Sequence, residues 1–155
     1  MKFTIRTFMI CTICIAICIG VIMATFVKRH PKKALLYIEG HLVDTQYAYI
    51  YQTYETVPLI DVLSFYGFDV KWIDDVTAFL TKEGQTLYLS LLTCELIYHE
   101  VNLLLPAPGR NDYYCENVQN NIILDLKTAI CMLKMLGIQA HSETNYRKGV
   151  IYIRH

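Results

Sequence analysis

The sequence predicts an α+β fold in which two strand–helix–strand–hairpin half-repeats follow one transmembrane helix. Three observations support this: a long uncharged run near the N-terminus, two short amphipathic helix patterns that each end before a glycine, and strand patterns on either side of both helices. The 155 residues allow one domain plus an appendage. With 54% hydrophobic and 18% charged residues, the composition excludes a disordered chain, and 7 Gly and 4 Pro exclude a collagen-like one.

The first element is the uncharged run over residues 7–27, which follows a basic N-terminus over residues 1–6. A helix of this length measures about 32 Å, enough to cross a hydrocarbon core of about 30 Å. The alternative, a cleavable signal peptide, has a shorter apolar region and an A-x-A-type cleavage site, which this run lacks. We therefore predict an uncleaved signal-anchor helix over 7–27 and a basic connector over 28–34.

Charge slightly disfavours a C-terminal domain outside the membrane, because both flanks of the predicted helix are basic and the flank after it carries more Lys and Arg. The basic connector keeps a cytoplasm-facing membrane regulator as an alternative. Residues 34–155 contain eight Lys and Arg against 14 Asp and Glu, a balance of −6. A domain of this charge repels phosphate, so we expect no nucleic-acid partner.

The first half-repeat is predicted over about residues 35–92 from apolar residues that recur at helical spacing in one segment and alternate in others. Thr56 is placed to cap the helix, Pro58 suits its first turn, and Gly67 suits the left-handed position after its last turn. The predicted elements are a hairpin over 35–43, a strand over 47–51, a helix over 58–66, a strand over 68–73 and a hairpin over 76–91.

The second half-repeat is predicted over about residues 94–155, in the same order. Gly137 follows its helix as Gly67 follows the first, and residues 37–39 align with residues 98–100. The order of elements, rather than sequence identity, indicates the internal repeat. The predicted elements are a strand over 96–105, a polar loop over 111–121, a helix over 124–136, and strands over 138–140 and 150–153.

The residues around the first helix resemble a known family. VPL over residues 57–59, Gly67, then a strand containing Trp72 and a hairpin are similar to the copper amine oxidase N-terminal-like (stalk) domain. That family has V-P-L-R, a short helix ending in Leu-Gly, and V-x-W-D; Ile60 replaces the basic residue here, and the second half departs further. The resemblance covers about residues 35–155. It implies an exported, non-catalytic module of the bacterial cell envelope, without the copper and quinone chemistry of a separate domain.

No catalytic, cofactor-binding or metal-binding residues are predicted. The five histidines show neither H-x-H nor H-x-x-x-H spacing, and no G-x-S-x-G or glycine-rich phosphate loop is present. The alternative is a metal-dependent or hydrolytic enzyme whose site is assembled from distant residues. The residues retained for that alternative are His99, Glu100, Asp74 and Asp75.

Three cysteines follow the connector: Cys94, Cys115 and Cys131. An odd number allows at most one internal disulfide. Cys131 lies within the second predicted helix and is expected to be a buried thiol. Cys94 and Cys115 are the pair that would bridge if the domain is exported.

Tyr47, Tyr49 and Tyr51 form the candidate partner-binding face, because they alternate along one predicted strand. Tyrosine-rich faces bind sugars or partner chains, although a half-buried sheet face gives the same pattern. The sequence thus predicts a single-pass, non-catalytic binding or structural module of the cell envelope, anchored through residues 7–27 with its C-terminal domain outside. Its expected partner is a cell-envelope protein or polysaccharide, met through this face or through an exposed sheet edge.

Overall fold

A computed structural model describes residues 31–51, 54–104 and 115–155, and residues 32–155 form one compact unit. Within the described residues the unit contains two helices, α1 (Leu59–Phe65) and α2 (Leu126–Met135). Its strands are β1 (Lys32–Lys33), β2 (Leu35–Ile38), β3 (His41–Val43), β4 (Tyr49–Ile50), β5 (Glu55–Pro58), β6 (Asp69–Trp72), β7 (Thr77–Lys82), β8 (Gln85–Ser90), β9 (Glu95–Tyr98), β10 (Val101–Asn102), β11 (Cys115–Val118), β12 (Asn121–Asp125), β13 (His141–Asn145) and β14 (Val150–Arg154).

The strands form three sheets. The central sheet has the order β1-β4-β5-β12-β11, and the meander sheet has the order β10-β9-β8-β7-β6; both are antiparallel throughout. The terminal sheet, β13-β14-β2-β3, joins the first and last hairpins of the unit through the parallel pair β2–β14. Strand β2, near the start of the unit, is therefore hydrogen-bonded to β14, its last strand.

The two central strands, β5 and β12, pair antiparallel and lead directly into α1 and α2. Every residue of both strands is buried, and both helices pack against them. A strand covered on both faces is apolar along its length instead of alternating, as in Ile122-Ile123-Leu124. The main hydrophobic core runs from these strands to the inner faces of the other two sheets.

Helix α1 is capped from another strand. Pro58 occupies the N-cap position without a side-chain hydrogen bond, and Thr56, the cap that the sequence predicts, is buried with its hydroxyl unpaired among the described residues. Instead Asn121 of β12 accepts a hydrogen bond at Oδ1 from the Ile60 N–H, at 3.0 Å. Helix α2 has the local cap that α1 lacks, because the side chain of Asp125 accepts from the Thr128 N–H at 3.0 Å.

Both helices end at a glycine in the left-handed conformation. Gly67 has a φ of 85° and Gly137 a φ of 83°. The next N–H groups turn back to the helices: Phe68 donates to the Leu63 carbonyl at 3.1 Å, and Ile138 donates to the Leu133 carbonyl at 2.9 Å. The chain therefore reverses sharply after each helix, and α1 delivers it into β6.

The α+β prediction is wrong, because strands account for 49% and helices for 15% of the described residues. The helices are short, and segments predicted to be loop or helix are extended. The predicted polar loop over 111–121 contains β11 and leads into β12, and the predicted second helix begins inside β12. The predicted strand over 96–105 is the hairpin β9–β10 in its described part.

No helix among the described residues is long and apolar enough to cross a membrane, and the longer of the two has ten residues. The predicted transmembrane signal-anchor helix, and the single-pass localisation at the cell membrane that depended on it, are therefore unsupported by the described part of the chain. Residues 7–27, to which that prediction refers, lie outside the described residues.

Candidate functional site

The predicted tyrosine face lies on and beside β4, between β1 and β5 of the central sheet, and is already in contact with the rest of the chain. Tyr47, Tyr49 and Tyr51 are half-buried, but only Tyr49 belongs to a strand. The Tyr47 hydroxyl donates to Gln119 Oε1 at 2.6 Å, and the Tyr51 ring stacks on Tyr54 with centroids 4.4 Å apart. These contacts use surface that a partner would need.

The four residues retained for an enzyme site lie in two separate turns. His99 and Glu100 form the turn between β9 and β10, both with positive φ, and Asp74 and Asp75 lie in the turn between β6 and β7. A hydrogen bond from the Val76 N–H to Asp74 lowers the pKa of that carboxyl. No group of three or more His, Cys, Asp and Glu side chains within the described residues is placed to hold a metal ion.

Two of the cysteines are described with their side chains, and both carry free thiols. Cys94 is half-buried and is not bridged, so the considered Cys94–Cys115 disulfide is not formed at its Cys94 end. Cys131 is exposed on α2, which corrects the expectation of a buried thiol. Cys115 begins β11.

A cleft of about 820 Å³ opens between the end of α1 and the tip of the β7–β8 hairpin. We call it the helix-end cleft. One wall is made by Phe65, Tyr66 and Gly67. Of these three residues, Gly67 has the left-handed backbone at which the chain turns away from the helix. The other wall is the hairpin, which turns through Glu83 and Gly84. The lining residues are Phe65, Tyr66, Gly67, Asp69, Thr81, Lys82, Glu83, Gly84, Gln85 and Thr86.

The cleft combines aromatic rings with charges of both signs. Phe65 and Tyr66 meet edge to face, with centroids 5.6 Å apart and ring planes at 85°. Partial burial and the neighbouring carboxylate of Glu39, to which the Tyr66 hydroxyl donates at 3.3 Å, raise the pKa of Tyr66 to about 12. Lys82 places its ammonium 5.8 Å from the centroid of the Phe68 ring, a cation–π contact beside the cleft. Tyr66 is thus held as a neutral hydrogen-bonding group.

The cleft continues onto the outer face of the meander sheet. The register places Asp69, Thr81 and Thr86 side by side on adjacent strands, and all three line the cleft. The next outward-facing residues lie about 7 Å further along the strands. They form a second row across four strands, which we call the aromatic row: Lys71, Phe79, Tyr88 and Ile97.

The aromatic row exposes large apolar side chains. Phe79 is 39% and Tyr88 37% exposed, and their rings lie 5.9 Å apart at 63°. The residues that alternate with the outward-facing ones along β7 and β8, such as Leu80 and Leu87, are fully buried on the inner face. Phe79 and Tyr88 are not among the residues predicted from the sequence to bind a partner. The predicted hairpin over 76–91 nevertheless implies that they pair, because a register that places Thr81 opposite Thr86 also places Phe79 opposite Tyr88.

Comparisons with protein-family models, curated proteins and solved structures find no match. The resemblance to the stalk-domain family therefore stays a prediction. The function has to be inferred from the helix-end cleft and the aromatic row themselves.

Proposed function

We propose that this chain is a non-catalytic binding module that binds a segment of a protein partner across the outer face of its meander sheet. The observation that carries the proposal is the continuity of this surface, since the aromatic row adjoins the helix-end cleft. Exposed aromatic side chains surrounded by polar residues are typical of the centres of protein interfaces. Here Phe79 and Tyr88 form such a centre, with Thr81, Thr86 and Lys71 around them.

The ring geometry favours a protein over a polysaccharide. A sugar ring stacks flat on an aromatic face, and a chain of sugars needs several faces in one plane. Phe65 and Tyr66 are nearly perpendicular, and Phe79 and Tyr88 are inclined at 63°. Inclined rings instead form a ridged surface into which side chains pack, and the charges of both signs at Asp69 and Lys82 provide partners for a polypeptide.

The size of the surface predicts a weak complex. The five strands have four, six, six, four and two residues. At a strand spacing of about 4.8 Å and about 3.4 Å per residue, they give a face of roughly 360 Å². A standard stable interface buries about 800 Å² on each partner. We therefore expect dissociation constants in the micromolar range and a segment that also enters the cleft.

The terminal sheet provides a matched control. Tyr37 and Tyr152 pair across its strands β2 and β14, with ring centroids 5.6 Å apart, and both are half-buried. They reproduce the cross-strand aromatic pair of the meander sheet, but no residue of β2 or β14 lines the helix-end cleft. Losing them should not affect binding at Phe79 and Tyr88.

The test is to pan a phage-displayed library of random dodecapeptides on the immobilised full-length chain and to measure the enriched peptides by fluorescence anisotropy. We expect the Phe79→Ser/Tyr88→Thr variant to weaken binding at least about tenfold, and the Tyr37→Ser/Tyr152→Thr variant to leave it within about twofold. Equal binding to all three proteins would overturn the proposal, as would a library that yields no binding peptide. A panel of soluble polysaccharides is tested in parallel. If these bind and the peptides do not, the partner is a polysaccharide and not a protein.

A further inference from the structure

Strand β6 is an open edge of the meander sheet, because β7 is its neighbour on one side and no described strand lies on the other. Its pairing with β7 shows which backbone groups are free. The Ile73 N–H donates to the Thr77 carbonyl at 2.9 Å, which makes Ile73 and Thr77 a hydrogen-bonded pair that continues the register. Because such pairs alternate along an antiparallel ladder, Lys71 and Asp69 also bond to β7.

Val70 and Trp72 are the intervening residues, so their N–H and C=O groups point away from β7 to the open side. Outside the β6–β7 ladder, their N–H groups make no backbone hydrogen bond to another of the described residues. The edge therefore presents two donors and two acceptors in the spacing of a strand. Such a row pairs with any extended segment that reaches it.

We propose that the partner segment binds to β6 by strand addition, as a sixth strand of the meander sheet. This inference rests on the proposed function and specifies its binding mode. An added strand gains main-chain hydrogen bonds at the edge, while its side chains select for sequence. These bonds supply the affinity that the small sheet face lacks.

The position of the edge relative to the site supports this mode. Asp69 belongs both to β6 and to the lining of the helix-end cleft. A segment paired with Val70 and Trp72 therefore passes directly into the cleft beside Tyr66 and Gly67. On the sheet face it lies next to Lys71, at one end of the aromatic row.

The side chains of β6 define the chemistry of the segment. Asp69 and Lys71 are exposed on the outer face, and residues opposite them in an added strand approach most closely because they are not hydrogen-bonded pairs. Opposite charges at those places are favoured, so the segment carries a basic and an acidic residue two positions apart. The residue between them faces the other side, where Val70 and Trp72 are half-exposed, and is therefore apolar.

Strand β13 supplies a matched edge without these features. The bonds from the Leu35 N–H to the Gly149 carbonyl and from the Glu39 N–H to the Ile153 carbonyl fix which residues of β14 face β2. The same alternation then leaves Ser142 on β13 with its N–H outward. None of the residues that line the helix-end cleft belongs to β13. A proline at Ser142 is thus the control for a proline at Val70, since each removes an outward N–H and no ladder bond.

The decisive experiment is an N-methyl scan of an enriched peptide against the unaltered full-length chain. Strand addition predicts that methylation of every second amide weakens binding about tenfold or more, whereas the intervening amides, which point away from β6, tolerate it. In the protein, Val70→Pro should weaken binding by a similar factor and Ser142→Pro should not. Circular dichroism and the fluorescence of Trp72 verify that each variant is folded, and if Val70→Pro is not, the scan alone decides.

The outcomes separate the two proposals. A peptide that needs Phe79 and Tyr88 but shows no alternation in the scan keeps the proposed function and overturns strand addition. Alternation that persists in Val70→Pro and is lost in Ser142→Pro would overturn the assignment to β6. Failure to enrich any peptide would overturn both. The charge prediction is tested by the double variant Asp69→Lys/Lys71→Asp. This variant should bind the original peptide more weakly, and it should bind well a peptide whose basic and acidic residues are exchanged.

Discussion

Asn121 is the residue whose loss we expect to destabilise the fold most for its size. It begins β12, is 5% exposed, and reaches across to the first turn of α1. Its Oδ1 accepts from the Ile60 N–H at 3.0 Å, and its Nδ2 donates to Asp61 Oδ1 at 3.2 Å. Asn121→Ala removes both groups and leaves the Ile60 N–H without its acceptor.

The magnitude follows from these two bonds. A buried donor left unsatisfied costs about 1–3 kcal/mol, and losing a helix N-cap costs about 1 kcal/mol. These costs overlap, because Ile60 provides the same N–H for both. We therefore expect the free energy of unfolding to fall by about 2–3 kcal/mol. For a unit of this size each kcal/mol shifts Tm by roughly 4 °C, so Tm should fall by roughly 8–12 °C.

Urea denaturation of the full-length chain, followed by the fluorescence of Trp72, measures this loss. Asn117→Ala is the matched control, because Asn117 lies on the same hairpin in β11 but is exposed. The control should stay within about 0.5 kcal/mol of the wild type. If Asn121→Ala does so too, the capping of α1 by β12 does not stabilise the fold and the reasoning is refuted.

Tyr146→Phe should lower the free energy of unfolding by about 1–2 kcal/mol in a urea titration, since the Glu55 carboxylate, 9% exposed, loses the hydroxyl that donates to it; an unchanged midpoint would contradict this. Because the pKa of Tyr66 is about 12 when folded and 10.0 ordinarily, its contribution to stability is complete below pH 10 and is lost as the pH rises towards 12. The stability difference between wild type and Tyr66→Phe should change over that range and not between pH 7 and 9. His99→Asn/Glu100→Gly should raise Tm by several degrees, as both positions have positive φ, and a lower Tm would refute the turn assignment.

The elements with a clear period were predicted well from the sequence. The first helix was expected over 58–66 and occupies Leu59–Phe65, and the meander hairpin was expected over 76–91 and spans Thr77–Ser90. In both, one face is buried and the other is exposed, so the alternation of apolar and polar residues records the geometry. The left-handed glycine that follows each helix marks where that helix ends.

The central pair of strands was missed for the opposite reason. β5 and β12 are buried on both faces, so they carry no alternation, and the predicted second helix begins at Leu124, inside β12. The hairpin β11–β12 was also hidden because its turn, Gln119-Asn120, contains no glycine although both residues have positive φ. Because most residues of these two strands were assigned to no element, the predicted strand content was too low, which contributed to the incorrect α+β class.

The candidate partner-binding face could be predicted only in part, because alternation along a strand does not show whether a face is exposed. Tyr47, Tyr49 and Tyr51 do alternate with buried residues, but their contacts with Gln119 and Tyr54 come from distant or irregular parts of the chain. Exposure of a face is decided by whether another element covers it, which periodicity does not encode. The pairing of Phe79 with Tyr88 was contained in the predicted hairpin, because a hairpin fixes its own register.

The open side of β6 cannot be predicted from the local sequence of that strand. A strand is an edge only if the complete order of its sheet leaves one of its two sides unpaired, and that order depends on every other strand of the meander. Once the order is known, one backbone bond at Ile73 determines the direction of every donor and acceptor along β6. The local hairpin therefore identifies the aromatic row, while only the whole topology identifies the edge on which a partner strand can be added.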